Sequence, residues 1–219
     1  REKAPLAPTE PGFDYRREVI DVGKRLDREN TQVLNAKIQE ILAELKKIPS
    51  VRQAEYAGSI RRMQETVGDI DILVTSDNPA AVMNFFVKLP EVKEVISRGP
   101  TKTTVRLHAG IQADVRVVSP ESFGAAMQYF TGDKYHNIII REIAVKKGYK
   151  LNEYGLFNGP NLIAGKTERE VYKALGMELI PPEIRTNHGE IEAAQIGKLP
   201  KLVEIKDIKG DLQIQTDWT

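Results

Sequence analysis

GSIRRMQETVGDIDILV, residues 58–74, is the stretch that decides the fold class. Asp69-Ile70-Asp71 runs directly into Ile72-Leu73-Val74, whose β-branched and aliphatic content predicts a strand. Side chains alternate faces along a strand, so Asp69 and Asp71 share one face while Ile70 and Ile72 point into a core. Two neighbouring carboxylates repel unless a cation or protons neutralise them. Their oxygen chemistry suits Mg²⁺ or Mn²⁺. Gly58-Ser59 upstream supplies a permissive backbone and a hydroxyl suited to a phosphate. The combination points to metal-assisted transfer of a nucleotidyl group.

Working outward, residues 31–47 predict a helix capped by Thr31, with Val33, Ile38, Ile41, Leu42 and Leu45 as its apolar stripe. Pro49 stops it. Residues 15–30 read as weakly helical, and 1–14, with three Pro, as linker. Strands are expected at 51–57, 69–75, 92–97, 103–107 and 111–118, with turns at Gly99-Pro100 and Ala109-Gly110. A helix after Asp77-Asn78-Pro79 carries Val82, Phe85, Phe86 and Leu89. The natural assembly is α/β (α+β): a mixed five-stranded sheet backed by two helices. Beyond Pro120 the pattern changes to helices at 123–130 and 134–147, a small hairpin from 149–151 and 154–157, and a helix at 167–175. That predicts a small α+β C-terminal lobe over 121–186, followed by linker.

Composition bounds the rest. With 219 residues the chain can bury one good core or two small ones. A net charge of +1 gives no global bias toward nucleic acid, so any such surface must come from local clustering. The absence of Cys excludes disulfides and thiolate metal sites and fits a cytoplasmic location. No apolar run reaches bilayer-spanning length, so no membrane partner is expected.

A two-metal site needs a third carboxylate. Asp114, between Ala113 and Val115, is the candidate, because a free charge in so apolar a strand would be costly. If its strand pairs beside Asp69, the three carboxylates share one edge. Asp69 and Asp71 would then bridge both ions, and Asp114 would bind the catalytic ion and help deprotonate a hydroxyl. Arg116, on the same face, is expected to hold one of these carboxylates when metal is absent. The plainer reading is three unrelated surface aspartates.

With Asp114 in place, GSIRRMQETVGDIDIL resembles the active-site signature of the family X DNA polymerases, the group of polymerase beta and the bacterial and archaeal PolX enzymes. IQADVRVV (111–118), YFTGDKYHNIIIR (129–141) and YKLNEYGLF (149–157) resemble further motifs of that family in the same order. GMELIPPEIR (176–185) and GEIEAA (189–194) resemble the segment leaving its polymerase core. The resemblance implies a nucleotidyltransferase-type palm at 31–120, a nucleotide-selecting lobe at 121–186, and two Mg²⁺ or Mn²⁺ ions on Asp69, Asp71 and Asp114. It implies a monomer whose partners are gapped or primed DNA and a deoxynucleoside triphosphate. Ser59 and Arg62 would contact the triphosphate, beside Gly58 and with Gly68 allowing close approach. Tyr129, Phe130 and Gly132 would pack on sugar and base, with Phe130 equally readable as a core residue. Asn137 would meet the minor-groove edge of the base, where contacts check pair geometry without reading sequence. Arg141 and Lys134 would touch DNA, and Glu153 would position the closed lobe. Arg61 reads as a solvated helix face and His136 as a helix-start or surface residue.

Three departures matter. Gln112 stands where an Arg is common two positions before the third Asp. No helix-hairpin-helix signature occurs, so 1–30 is expected to be a linker and remnant of absent N-terminal DNA-binding lobes. In KGDLQIQT (209–216), which resembles the opening of a PHP domain within 187–219, Gln213 and Gln215 replace the usual metal-binding His pair. Two other readings stay open: a different nucleotidyltransferase with the same Gly-Ser and Asp-x-Asp site, and a non-catalytic DNA-binding scaffold with a relic site.

Overall fold

The computed structural model describes residues 28–210. The expectations for residues 1–27, and for Gln213 and Gln215, lie outside the described residues, as does the Val33 side chain. Helix α1 (Arg28–Lys46) begins earlier than its apolar stripe suggests, so Thr31 lies inside it instead of capping it. The stripe itself holds: Ile38, Ile41, Leu42 and Leu45 are buried at the helical spacing that puts them on one face. None of the described helices is long and apolar enough to cross a membrane.

The first lobe continues with β1 (Val51–Tyr56), a one-turn α2 (Gly58–Arg61) and β2 (Asp69–Ser76). Next come α3 (Pro79–Phe86), β3 (Val92–Arg98), β4 (Lys102–Leu107) and β5 (Gln112–Val117). Asn78 starts α3 as its sequence predicts, its side chain accepting from the Ala81 amide at 3.2 Å with Pro79 in the first turn. The five strands form one sheet in the order β1-β2-β5-β4-β3. Only the central pair, β2 and β5, is parallel; the others are antiparallel. Both outer strands break register against their neighbours, β1 between Val51 and Gln53, and β3 at two places.

Strand β2 is covered on both faces. Ile70, Ile72 and Val74 join the core formed with α1 and α3. Leu73 points the other way and packs with Ala57, Phe123, Ala126 and Met127. That second cluster seats α4 (Phe123–Thr131) on the sheet. The catalytic strand candidate is thus clamped by both lobes.

The second lobe comprises α4, α5 (Lys134–Lys146), the three-stranded sheet β6 (Lys150–Asn152), β7 (Gly155–Asn158) and β8 (Asn161–Ala164), α6 (Glu168–Ala174) and α7 (Glu190–Gln195). Two elements differ from expectation. The hairpin gains a third strand, β8, after the Gly159-Pro160 turn. Residues 189–199, expected as linker, pack on this lobe: Ile191 and Ala194 are buried with Val171, Leu175, Met177 and Ile180, and Leu199 lies against the same core. The apolar spacing of Ile191 and Ala194, three apart between Gly189 and Gly197, is the reason.

Gly124 is where α4 crosses the start of α6. A Cβ there would lie 2.1 Å from the Thr167 carbonyl carbon. Thr167 is held by a capping box with Glu170, so its backbone has little freedom to yield. Gly124→Ala is therefore expected to destabilise the fold by about 3 kcal/mol, the upper end for overpacking. Chemical denaturation would check this; a loss below about 1 kcal/mol would mean the helices slide apart easily.

Candidate active site

Parallel pairing sets the acidic site. Strands β2 and β5 align Asp69 with Gln112 and Asp71 with Asp114. Residues in register on neighbouring strands share a face, so Asp71 and Asp114 stand side by side and Asp69 lies two positions along the same face. Asp69 is exposed, whereas Asp71 and Asp114 are half-buried. Burial pushes the Asp71 carboxyl up to about 7, and the charges of Asp69 and Asp114 push the same way against Arg116 and Lys102. A divalent cation would relieve that repulsion, and the all-oxygen donor set suits Mg²⁺ or Mn²⁺.

The third carboxylate is engaged elsewhere. Asp114 Oδ2 lies 2.7 Å from Lys102 Nζ, on the neighbouring strand β4. Among the described residues, no group of three His, Asp or Glu side chains closes into a metal-ligand set. Lys102 is the cation in direct contact with Asp114, while Arg116 acts on Asp71 through its charge. Arg116 places its guanidinium 4.6 Å from the centroid of the Phe130 ring. Phe130 meets Tyr129 edge-on at 5.1 Å and packs against the cluster containing Leu73, so its core role is real.

Beside Asp69 and Asp71 opens a cavity of about 590 Å³. Its first-lobe wall includes Gly58, Ser59, Arg62 and Gly68, and its second-lobe wall Tyr129, Phe130, Gly132, Lys134 and Asn137. Every residue expected to touch nucleotide therefore lines one space, and Lys134 joins them. Gly58 is needed there twice over: its φ of 72° is left-handed, and a Cβ would crowd Asp71 Oδ2 at 3.2 Å. The Ser59 hydroxyl is buried without a hydrogen-bond partner among the described residues. A buried hydroxyl left unpaired is uncommon, and it leaves Ser59 with a donor to offer into the cavity. Arg62 Nη1 donates to the Thr131 carbonyl at the lobe junction.

Arg141 and Glu153 lie outside that cavity. Arg141 is exposed on α5, its Nε donating to the Asn137 carbonyl at 3.2 Å. Glu153 sits with Lys102, Arg116 and Tyr154 in a second cleft of about 300 Å³ between the lobes.

Arg61 is not a solvated face. Its guanidinium donates to Thr131 Oγ1 at 2.7 Å and to both Glu168 oxygens, the shorter contact being 2.6 Å. Glu168 also accepts from the fully buried Arg185 at 2.7 Å. Burial opposes ionisation of Glu168, but the two guanidiniums outweigh it and hold the carboxyl below the usual range. His136 is fully buried as well, with Nδ1 2.7 Å from Glu190 Oε1 and Nε2 2.9 Å from the Tyr172 hydroxyl. Burial pushes its imidazole down, against the pull of Glu190, favouring the neutral ring. Lys102, Glu168, Arg185 and Glu190 carry no local pattern that marks them; each depends on a partner distant in sequence.

The raised Asp71 carboxyl gives a stability signature. Its native pKa lies above the unfolded value of 3.8, so between the two the native state binds more protons and stability falls as pH rises. Asp71→Asn removes that slope. In metal-free buffer this variant is expected to exceed the parent chain by about 1–3 kcal/mol at about pH 8, the gap closing toward about pH 4. Thermal melts across this range check it; a gap independent of pH would overturn the electrostatic account.

Family models for the DNA polymerase beta palm match residues 25–112, and those for the DNA polymerase beta thumb match residues 126–186. The chain is 37% identical over 185 residues to the DNA polymerase/3'-5' exonuclease PolX of Bacillus subtilis, covering 83% of this chain and 32% of that protein. It therefore spans about a third of that relative's length. It is 32% identical over 142 residues to a repair DNA polymerase X of African swine fever virus, covering 58% of this chain and 78% of the viral protein. The ternary gap complex of Leishmania infantum polymerase beta superposes with a TM-score of 0.63 at 21% identity, covering 81% of this chain and 77% of that one. At that identity the likeness speaks for the fold.

Proposed function

Because this chain belongs to the family X DNA polymerases, we propose that it is a DNA-directed DNA polymerase core that fills gaps by extending a primer during repair. The observation that carries this reading is the in-register pair of Asp71 and Asp114 on parallel strands, beside a cavity built by both lobes. Asp69, Asp71 and Asp114 would hold two Mg²⁺ or Mn²⁺ ions. When bound, the ions neutralise charge on the attacking and leaving oxygens.

The chain's own residues have separable tasks. The Ser59 hydroxyl and the Arg62 guanidinium bind the triphosphate, one by a hydrogen bond and one by charge. Tyr129, Phe130 and the open backbone at Gly132 form the wall against sugar and base. Asn137 addresses the minor-groove edge of the base. Asp114 leaves Lys102 and helps draw the proton from the primer 3′-hydroxyl, whose oxygen bonds to the α-phosphorus while pyrophosphate departs. Lys134 and Arg141 meet DNA phosphates, a salt-dependent contribution. Arg116 and Glu153, facing one cleft between the lobes, position the second lobe around the pair.

Primer extension on a single-nucleotide gap, with Mg²⁺ or Mn²⁺, tests this. The expected result is incorporation directed by the template base. Incorporation indifferent to template would favour the other nucleotidyltransferase reading. No metal-dependent incorporation would favour the scaffold.

A further inference from the structure

A line of buried polar groups leads from α7 to the cavity wall. At its far end the Glu190 carboxylate accepts from the amides of Asn187 and His188 at 2.9 and 2.8 Å. It also takes His136 Nδ1 at 2.7 Å, and His136 Nε2 meets the Tyr172 hydroxyl at 2.9 Å. A carboxylate can only accept, so Nδ1 carries the proton and Nε2 is left to accept from the hydroxyl. Nearby, Gln128 is buried on α4, which packs against α6, the helix that carries Tyr172. Gln128 Nε2 donates to Asn137 Oδ1 at 2.7 Å, and Asn137 Nδ2 donates to the Tyr129 carbonyl at 2.7 Å.

The direction of donation is therefore fixed from Glu190 to the Tyr172 hydroxyl, and separately from Gln128 to the Tyr129 carbonyl. The Tyr129 carbonyl can only accept, so the Asn137 amide turns its nitrogen there and its oxygen toward Gln128. The link between the two runs through the backbone, since His136 and Asn137 adjoin in the first turn of α5, where Asp133 caps the His136 amide.

We infer that Glu190 is a positioning residue for nucleotide binding, acting through His136, itself held by Tyr172, and through the first turn of α5 to fix the place of Asn137 in the cavity. Glu190, though beyond residue 186, is then part of the nucleotide-selecting apparatus, while Ile191 serves only to pack α7. The Glu190, His136 and Tyr172 side chains are buried and hydrogen-bonded in sequence, and such a cluster imposes one geometry on its members. The inference rests on the reading of this cavity as the nucleotide site.

The test uses the full chain and three variants. Tyr172→Phe removes one hydroxyl and keeps the ring's packing. Glu190→Gln keeps the shape and removes the obligate acceptor. Ile191→Ala loosens α7 without touching the polar line. Tyr172→Phe and Glu190→Gln are expected to raise the KM for deoxynucleoside triphosphate by about 5-fold or more with kcat within about 2-fold. Ile191→Ala should lower the melting temperature and leave KM unchanged. Side-chain amide and imidazole NMR signals give a readout independent of turnover. Asn137 should shift in both polar variants, and the His136 Nδ1 proton should lose its fixed place in Glu190→Gln. An unmoved Asn137 signal in Tyr172→Phe, or equal KM changes in all three variants, would overturn the inference. Absence of incorporation by the parent chain would instead strike the polymerase reading, with the NMR result still deciding this one.

Discussion

Asp114→Ala is expected to abolish metal-dependent nucleotide incorporation, with a loss of at least about 10³-fold in the single-turnover rate. Asp114 is the one carboxylate contributed by β5, aligned with Asp71 across the parallel ladder. Without it the Lys102 ammonium has lost its 2.7 Å partner and stands unpaired at the acidic edge. That adds a positive charge where a divalent ion must bind. The fold should survive, because Asp114 is half-buried and its ion pair is partly solvated, a kind worth about 0–1 kcal/mol. An unchanged melting temperature with lost incorporation is the expected pair of results. Incorporation within about tenfold of the parent chain would sink the assignment of Asp114.

Glu168→Ala is expected to cost about 3–5 kcal/mol of folding stability, the range for removing one partner from a buried charge cluster. Among the described residues, Glu168 is the carboxylate paired with both guanidiniums, one from each side of the lobe junction. Arg185 is fully buried and would keep only the Ile180 carbonyl as acceptor. Arg61→Ala should cost less, since Arg61 is partly solvated and its loss leaves Glu168 paired with Arg185. The native carboxyl of Glu168 is held below its usual value. Its contribution is therefore present above the unfolded pKa and lost as pH falls through the native one. Urea unfolding of both variants near neutrality and in acid checks this. A Glu168→Ala loss below about 1 kcal/mol would mean that water reaches both arginines.

The palm-like lobe was legible because its signals are local. Alternation marks Asp69 through Val74, Asn78-Pro79 marks a helix start, and glycine turns separate the three strands that follow. The residues that the motifs single out for nucleotide contact also line one cavity. Arg61, His136 and Asp114 show what local pattern misses. Each has a partner supplied by tertiary contact: Glu168 lies 107 residues from Arg61, and Glu190 lies 54 from His136. No period or spacing encodes such pairs. The short elements β8 and α7 were hidden for another reason. Four or six residues give too few turns of a pattern to separate strand or helix from linker. Their burial comes from the lobe core and not from their own propensity.

The broken register at both outer strands of the large sheet bears on behaviour in crowded solution. An unbroken outer strand is a template on which a second chain can add its own backbone hydrogen bonds. Here β3 is interrupted twice and carries Lys93, Glu94 and Arg98 around the exposed Val95 and Ile96. On the opposite side β1 is interrupted once and carries Arg52, bound to Asp77 at 2.7 Å. Such margins discourage strand-by-strand stacking of copies, so the exposed Val95 and Ile96 can be tolerated without seeding aggregates.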